Sequence, residues 1–104
     1  MPSPLGDKIR ARRTQLEMSL EDLAKLTDSS KGYLWELENR DNPNPSVDKL
    51  TKIAMALGVT SEFLLENSQS TPDQEVLDQA FFRRYQGLDP KAKARLTKFL
   101  EWED

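Results

Sequence analysis

The side chains best suited to bind an anion lie near the start of the 104-residue chain. Lys8, Arg10, Arg12 and Arg13 are opposed there by a single acid, Asp7. The formal net charge is −3, but the local distribution of cations matters more for phosphate binding than the sum does. The sequence therefore predicts a basic stripe on the first helix with modest affinity for phosphate. Arg10 and Arg12 either bind phosphates or form a solvated helix face.

Catalytic and metal chemistry have little support in the composition. The chain contains no cysteine and no histidine. The lack of cysteine excludes disulfides and thiol chemistry, and the two absences together remove the usual zinc ligands. There is also no glycine-rich phosphate loop and no pair of carboxylates that would form a plausible catalytic cleft. We therefore expect no enzymatic activity, no metal ion and no cofactor.

The apolar content of 37% suits one compact domain with an appendage. No apolar run approaches the roughly 18 residues that a membrane span needs. The N-terminal residues also lack the apolar core of a signal peptide. We therefore expect a cytoplasmic protein without a membrane partner.

Apolar residues recur at helical spacing along the chain and predict an all-α fold. The first predicted helix spans residues 5–16. Serine is a good N-cap because its hydroxyl accepts a hydrogen bond from a free N–H of the first helical turn. Ser19, Ser30 and Ser46 are therefore predicted to start the next three helices, and Gly58 to end the fourth. A short fifth helix follows.

The composition changes after the fifth predicted helix. Residues 66–72 are polar and end in proline, which is typical of a linker. The C-terminal segment, 73–104, contains two amphipathic stretches separated by Gly87. We predict a five-helix domain over residues 5–65, followed by the linker and a C-terminal helical extension.

The extension carries more apolar side chains than a free segment would. They either cover the helical domain of their own chain or form an interface with a second copy or another protein. Aromatic residues favour an interface. The predicted interface residues are Phe81, Phe82, Tyr85, Leu96, Phe99 and Leu100.

The second and third predicted helices are short and close together, which is the geometry of a helix-turn-helix. In this motif the first helix braces against the sugar-phosphate backbone. The second lies in the major groove, where base edges can be distinguished. Ala24 leaves room for the two helices to cross, and Asp28 tolerates the left-handed conformation that the turn often needs. The spacing therefore predicts binding to double-stranded DNA.

Over about residues 5–65 the sequence resembles the phage-repressor/Cro (XRE-type) helix-turn-helix family. The matching segments are Ile9-Arg10-x-x-Arg13, Ser19-Leu20-Glu21-Asp22-Leu23-Ala24, Ser30-Lys31-Gly32-Tyr33-Leu34-Trp35-Glu36-Leu37-Glu38-Asn39, Asn44-Pro45-Ser46 and Leu50-x-x-Ile53-Ala54-x-Ala56-Leu57-Gly58-Val59. The resemblance implies a five-helix domain, operator DNA as the ligand and a two-fold dimer. Asp28 replaces the usual turn glycine, and Ser29 replaces the usual small apolar residue beside it.

The resemblance also implies roles for individual residues. Ser19 and Ser30 fall on capping positions that often touch phosphate, and Arg13 and Glu38 match an ion pair between the first helix and the recognition helix. The remaining implied DNA-binding residues are Lys31, Gly32 and Glu36 at base-reading positions, Tyr33 and Trp35 beside them, and Asn39, Arg40, Asn42 and Asn44 in the loop that follows the DNA backbone.

Two positions in the recognition helix allow two interpretations. Glu36 either accepts a hydrogen bond from cytosine N4 or is a surface charge paired with Lys31 or Arg40. Trp35 directly follows the core residue Leu34. Its side chain either contacts a thymine methyl or sugar, or packs against its own loop or a neighbouring molecule.

The leading hypothesis is a sequence-specific transcriptional regulator, a dimeric repressor whose two recognition helices lie about 34 Å apart on a pseudo-palindromic operator. A second hypothesis is the antitoxin of a toxin–antitoxin pair, which would autoregulate its operon while the aromatic extension binds the toxin. A third is an adaptor that binds proteins and not DNA. A neighbouring toxin gene would favour the second hypothesis, and failure to bind any duplex at low salt would favour the third.

Overall fold

The computed structural model describes residues 3–41, 43–66 and 71–102. Within these ranges the predicted all-helical fold is confirmed, with seven α-helices and no strand. They are α1 (Pro4–Gln15), α2 (Leu20–Thr27), α3 (Lys31–Asn39), α4 (Val47–Leu57), α5 (Ser61–Leu65), α6 (Gln74–Gln86) and α7 (Pro90–Trp102). None of these helices combines the length and the apolar character that a bilayer crossing requires.

Side-chain hydrogen bonds to backbone N–H groups fix where the helices begin. Ser19 Oγ accepts a hydrogen bond from the N–H of Asp22 at 3.0 Å, and Asp22 accepts one from the N–H of Ser19 at the same distance. Ser30 and Ser46 cap α3 and α4, as predicted. α1 begins one residue earlier than predicted because Ser3 caps it. Local capping therefore sets the boundaries of the helix-turn-helix.

Residues in the left-handed conformation end α2 and α4. Gly58, which follows α4, has φ 68°, and Asp28, which follows α2, has φ 53°. Glycine adopts this conformation without steric cost, and aspartate adopts it more readily than most other residues. Lys49 Nζ donates to the carbonyl oxygens of Thr27 and Asp28 at 3.3 and 2.9 Å. The turn between α2 and α3 is therefore held from α4.

The apolar core lies among the first five helices. α1 packs against α3, α4 and α5, while α2 packs against α3 and α4. Burial of a large aliphatic or aromatic side chain contributes about 1.5–3 kcal/mol. The most deeply buried side chains of this core are Ile9, Leu23, Leu34, Ile53, Leu57, Phe63 and Leu64. This packing fixes α3 by its inward side and leaves its other side to solvent.

The last two described helices have no fully buried residue. Val76 of α6 is partly buried against the core of the first five helices, and Arg83 of α6 pairs with Glu62 of α5. Asp89 accepts a hydrogen bond from the N–H of Ala92 at 2.8 Å and so caps α7.

Some predicted features lie outside the described residues. They are the predicted DNA-binding residue Asn42, residues 67–70 of the predicted linker, and residues 103–104 of the extension.

Candidate nucleic-acid interface

The recognition helix α3 presents one continuous side to solvent. Leu34, Leu37 and Glu38 are buried, because they recur at the helical period on the inward side. The predicted base-reading residues lie opposite. Lys31, Gly32, Trp35, Glu36 and Arg40 are exposed, and Tyr33 and Asn39 are half-buried. Because these side chains reach solvent, neither α6 nor α7 covers this side of α3.

Trp35 is a large apolar side chain at the middle of this exposed side. It is 54% exposed, so its own loop does not bury it. Asn39 Nδ2 donates to the carbonyl oxygen of Trp35 at 2.8 Å, which directs Asn39 along the helix. Tryptophan is enriched where proteins contact other molecules, so Trp35 is a candidate contact residue on this side of α3.

Both charged ends of the recognition helix are engaged in exposed ion pairs. Arg40 lies 3.0 Å from Glu36, and Lys31 lies 3.6 Å from Glu21 of α2. Glu36 is therefore paired with Arg40 and not with Lys31. Exposed pairs of this kind contribute about 0–1 kcal/mol, so a DNA ligand can displace either of them at small cost.

A shallow depression of about 160 Å³ lies beside the exposed side of α3. Its apolar surface comes from Tyr33, Leu37 and Pro43. Its hydrogen-bonding groups come from Glu36, Arg40 and Asn44. The complete lining is Tyr33, Glu36, Leu37, Arg40, Pro43 and Asn44. Partial burial raises the pKa of the Tyr33 phenol, so the hydroxyl stays protonated at neutral pH. Such a mixed surface suits a sugar or a thymine methyl next to a phosphate.

Arg13 and Glu38 join α1 to the end of the recognition helix. Arg13 Nε lies 2.7 Å from Glu38 Oε2, and Nη2 lies 3.0 Å from Oε1, which makes the pair bidentate. Arg13 Nη1 also donates to the carbonyl oxygen of Met18 at 2.8 Å. The hydrogen bond to Glu38 raises the pKa of Arg13. Because Glu38 is 2% exposed, the pair is a structural one and does not belong to the exposed side of α3.

The prediction of a basic phosphate-binding stripe on α1 is wrong for Lys8. It is 5% exposed, and its Nζ donates to the carbonyl oxygen of Phe63 at 2.7 Å and to that of Glu66. Nζ also lies 4.7 Å from the centre of the Phe63 ring. Burial lowers the pKa of Lys8. The ammonium group satisfies carbonyls at the end of α5, where a helix leaves them without partners.

Arg12 is half-buried and partly engaged within the fold. Its Nε donates to the carbonyl oxygen of Leu57 at 2.8 Å, so it is neither a fully solvated side chain nor one wholly available to phosphate. Nη1 donates to Gln15 at 2.9 Å. Arg12 thus holds the end of α4, as Lys8 holds that of α5. Among the cations of the predicted stripe, Arg10 is the exposed one.

Lys49 is a positioning residue that nothing in the sequence singled out. Besides holding the turn before α3, its Nζ lies 5.8 Å from the centre of the Tyr33 ring. A cation at this distance is attracted by the ring. Its partners are more than 15 residues away in the chain, so only the folded arrangement brings them together.

The predicted interface residues of the extension are mainly exposed. Phe81, Phe82, Phe99 and Leu100 are each more than half exposed, while Tyr85 and Leu96 are half-buried. This exposure does not fit the alternative in which they cover the helical domain of their own chain. Large apolar patches at a protein surface mark contact with another molecule.

The sequence profile of the helix-turn-helix family matches residues 9–64, which is over half of the chain. The chain therefore belongs to the helix-turn-helix family and is a DNA-binding transcriptional regulator of the XRE type. Proteins of this family are regulators and not enzymes.

The relatives of the chain include SinR. The HTH-type transcriptional regulator SinR of Bacillus subtilis (strain 168) is 27% identical over 101 residues, which cover 95% of this chain and 91% of SinR. A structure of the SinR/SinI protein complex has 26% identity and a TM-score of 0.59, and the match covers 95% of this chain and 96% of that one. A crystal structure of SinR in complex with DNA has 32% identity and a TM-score of 0.57, with coverage of 60% and 98%.

Proposed function

We propose that this chain is a sequence-specific repressor that binds a pseudo-palindromic operator as a dimer and reads it with the exposed side of α3. The observation that carries the proposal is the exposure of this side, on which Lys31, Trp35 and Glu36 all reach solvent. A helix of this kind fits the major groove, where the four base pairs are distinguishable. The SinR relative solved with DNA supports the same ligand.

Phosphate contacts are proposed at the N-terminal ends of α2 and α3. The hydroxyl oxygens of Ser19 and Ser30 accept hydrogen bonds from N–H groups of their own helices. The hydroxyl hydrogens remain available to donate to phosphate oxygens. The partial positive charge of a helix N-terminus favours the same ligand. Lys31 adds a full charge beside Ser30, so this end of α3 faces the DNA backbone.

Base and groove contacts are proposed for the middle of α3. Glu36 accepts a hydrogen bond from cytosine N4 once Arg40 moves to a phosphate, and Trp35 covers a thymine methyl or sugar. A β-carbon added to Gly32 would meet nothing within 4 Å, so the backbone can approach DNA closely there. The loop residues proposed to follow the DNA backbone are Asn39, Arg40, Asn42 and Asn44.

The proposed dimer forms through α6 and α7. Their exposed aromatic side chains supply the apolar area that a stable interface needs. The division into a DNA-binding domain over residues 5–65, a linker over 66–72 and a dimerisation segment over 73–104 is part of this proposal. SinR has also been solved with a protein partner, SinI. That structure matches 95% of this chain, so the match includes residues of the C-terminal extension.

The second candidate function, an autoregulating antitoxin, rests on the same exposed aromatic side chains. In that case the extension would bind a toxin encoded beside this gene. Co-expression with the product of the adjacent gene distinguishes the two candidates. A stable one-to-one complex that leaves DNA binding intact favours the antitoxin, whereas separate elution favours the repressor.

Selection of bound duplexes from a random pool tests the proposal. The repressor should enrich two inverted half-sites whose centres lie about 10 base pairs apart, or a multiple of that distance. Enrichment of a single half-site would contradict the dimer. The absence of any enrichment would contradict DNA binding itself.

A double variant tests the placement of α3. Ser30→Ala with Lys31→Ala should weaken operator binding more than about tenfold without loss of helicity, since two charge-assisted contacts are removed. Thr51→Ala with Lys52→Ala is the matched control, because it removes an adjacent hydroxyl and ammonium from the exposed side of α4. Equal affinity of the two double variants would refute the placement.

A truncation and a point variant test the dimer. A chain ending at Asn67 should fold, remain monomeric in sedimentation equilibrium and bind the operator weakly. Phe99→Asp should give the same oligomeric state in the full-length chain. Thr97→Asp, at an exposed position of the same helix, is the control and should stay dimeric. A dimeric truncated chain would place the interface within the first five helices instead.

A further inference from the structure

α6 contacts the helical core near both of its ends. Val76 is partly buried against that core, and Arg83 pairs with Glu62 of α5. The two residues of α6 are seven positions apart, about two helical turns, so they lie on the same side of the helix. Two contacts along one side fix the direction of α6 relative to the core and not only its distance.

The pair between Arg83 and Glu62 has a defined geometry. Nη1 lies 3.0 Å from Oε1 and Nη2 lies 2.7 Å from Oε2, so two parallel hydrogen bonds join the groups. A bidentate pair restricts rotation as well as separation, because the guanidinium group is planar. The hydrogen bonds from Arg83 lower the pKa of Glu62 to about 2, and both groups are charged at neutral pH.

The same helix carries part of the proposed dimer surface. Phe81 and Phe82 are both exposed and directly precede Arg83 in the chain. α6 therefore connects the core that holds α3 with the side chains proposed to meet the second copy. The position of each recognition helix relative to the dimer axis depends on this connection.

We propose that the Glu62–Arg83 pair, together with the contact of Val76, determines which half-site spacing the dimer accepts. This inference rests on the proposed function. Two DNA-binding domains that were joined to a dimerisation segment only by flexible linkers would accept a broad range of half-site spacings. Attachment of α6 in one direction selects one separation of the two recognition helices, and hence one class of operator.

The expected size of the effect follows from the exposure of the pair. Arg83 and Glu62 are 52% and 62% exposed, and such pairs change an equilibrium by a factor of about two to five. A symmetric dimer contains the pair twice, and both copies act on the same spacing. The combined preference is therefore the square of that factor, about four to 25.

The experiment uses the full-length chain and a series of duplexes that contain two identical half-sites. Their spacing is changed from the selected value by one, two and five base pairs, and the Kd is measured for each duplex. Arg83→Ala and Glu62→Ala should each reduce the preference for the selected spacing by about four- to 25-fold. Affinity for an isolated half-site should stay unchanged.

Two further variants separate positioning from general stability. Arg84→Ala is the matched control, because no ion pair joins Arg84 to another described residue. It should keep the wild-type profile. The exchanged pair, Glu62→Arg with Arg83→Glu, should restore the spacing preference. If the pair only stabilises the fold, the alanine variants would have a lower melting temperature. The ratio of the Kd values for the altered and the selected spacings would then stay unchanged.

The outcomes distinguish this inference from the function on which it rests. Failure of the wild-type chain to bind any duplex contradicts the proposed function. Binding without a spacing preference, or with the same preference in both alanine variants, overturns the inference and leaves the proposed function standing. If circular dichroism shows that the exchanged variant is unfolded, the spacing preferences of Arg83→Ala and Glu62→Ala decide whether the inference stands.

Discussion

Gly6 of α1 lies directly against the backbone of the recognition helix. A β-carbon added to Gly6 would lie 2.6 Å from the carbonyl oxygen of Leu37 and 2.8 Å from that of Glu38. Carbon atoms do not approach backbone oxygens so closely, so the two helices would have to separate. The missing side chain thus lets α1 approach the end of α3, where Arg13 reaches Glu38.

Gly6→Ala is expected to destabilise the fold by about 1–3 kcal/mol in urea denaturation, because neither carbonyl group can move aside freely. Gly32→Ala is the matched control within α3. It should leave stability unchanged or raise it by up to about 1 kcal/mol, since its β-carbon enters open space and alanine favours helix. Equal effects of the two substitutions would contradict the close approach.

Arg13→Ala is expected to cost about 3–5 kcal/mol of unfolding free energy, because it leaves the buried Glu38 carboxylate without its partner. Arg13→Met with Glu38→Leu should recover most of this loss, since the double variant buries no charge. Arg40→Ala breaks the exposed pair with Glu36 and should cost less than about 1 kcal/mol. A single variant as stable as the double one would argue against a buried pair.

Lys8→Met is expected to lower stability by about 1–3 kcal/mol, since the carbonyl groups of Phe63 and Glu66 lose their donor. It should not change the slope of log Kobs against log salt concentration for operator binding. Lys31→Ala should reduce that slope by about 0.9 for each lost phosphate contact. A reduced slope in Lys8→Met would show instead that Lys8 reaches DNA.

The Glu62–Arg83 pair is expected to weaken in acid. The pKa of Glu62 is about 2 in the folded chain and 4.5 for the free side chain. Because the folded value is the lower one, the stabilisation is fully present above about pH 5 and disappears as the pH falls towards 2. Glu62→Gln should therefore lower stability at pH 6 by at most about 1 kcal/mol, and by less at pH 3. A larger difference at pH 3 would contradict the pair.

The helix boundaries were predictable because their determinants are local. Ser30 meets the N–H of Tyr33, three residues further along the chain, and Gly58 ends α4 through its own backbone conformation. The exposed side of α3 was also predictable, since helical periodicity alone places Leu34 and Leu37 inward.

The hydrogen bonds of Lys8 and Arg12 to backbone carbonyl groups could not be predicted from the sequence. Their acceptor carbonyls belong to residues 55 and 45 positions further along the chain. A charged side chain on an amphipathic helix normally faces solvent, and no pattern in the sequence marks an exception. The partner of Glu36 was uncertain for a similar reason, because Glu21 of α2 draws Lys31 away.

Lys8 is buried, and the guanidinium groups of Arg12 and Arg13 are hydrogen-bonded within the fold, which has a kinetic consequence for the proposed search for an operator. Arg10 is the exposed cation that α1 retains, so we expect α1 to contribute little to the binding of unrelated DNA. If the proposed function holds, dissociation from unrelated DNA should be fast, and the search should use many short encounters and few long slides along the duplex. Higher salt should shorten each encounter further, while the proposed contacts of Trp35 and Glu36 would carry recognition of the operator.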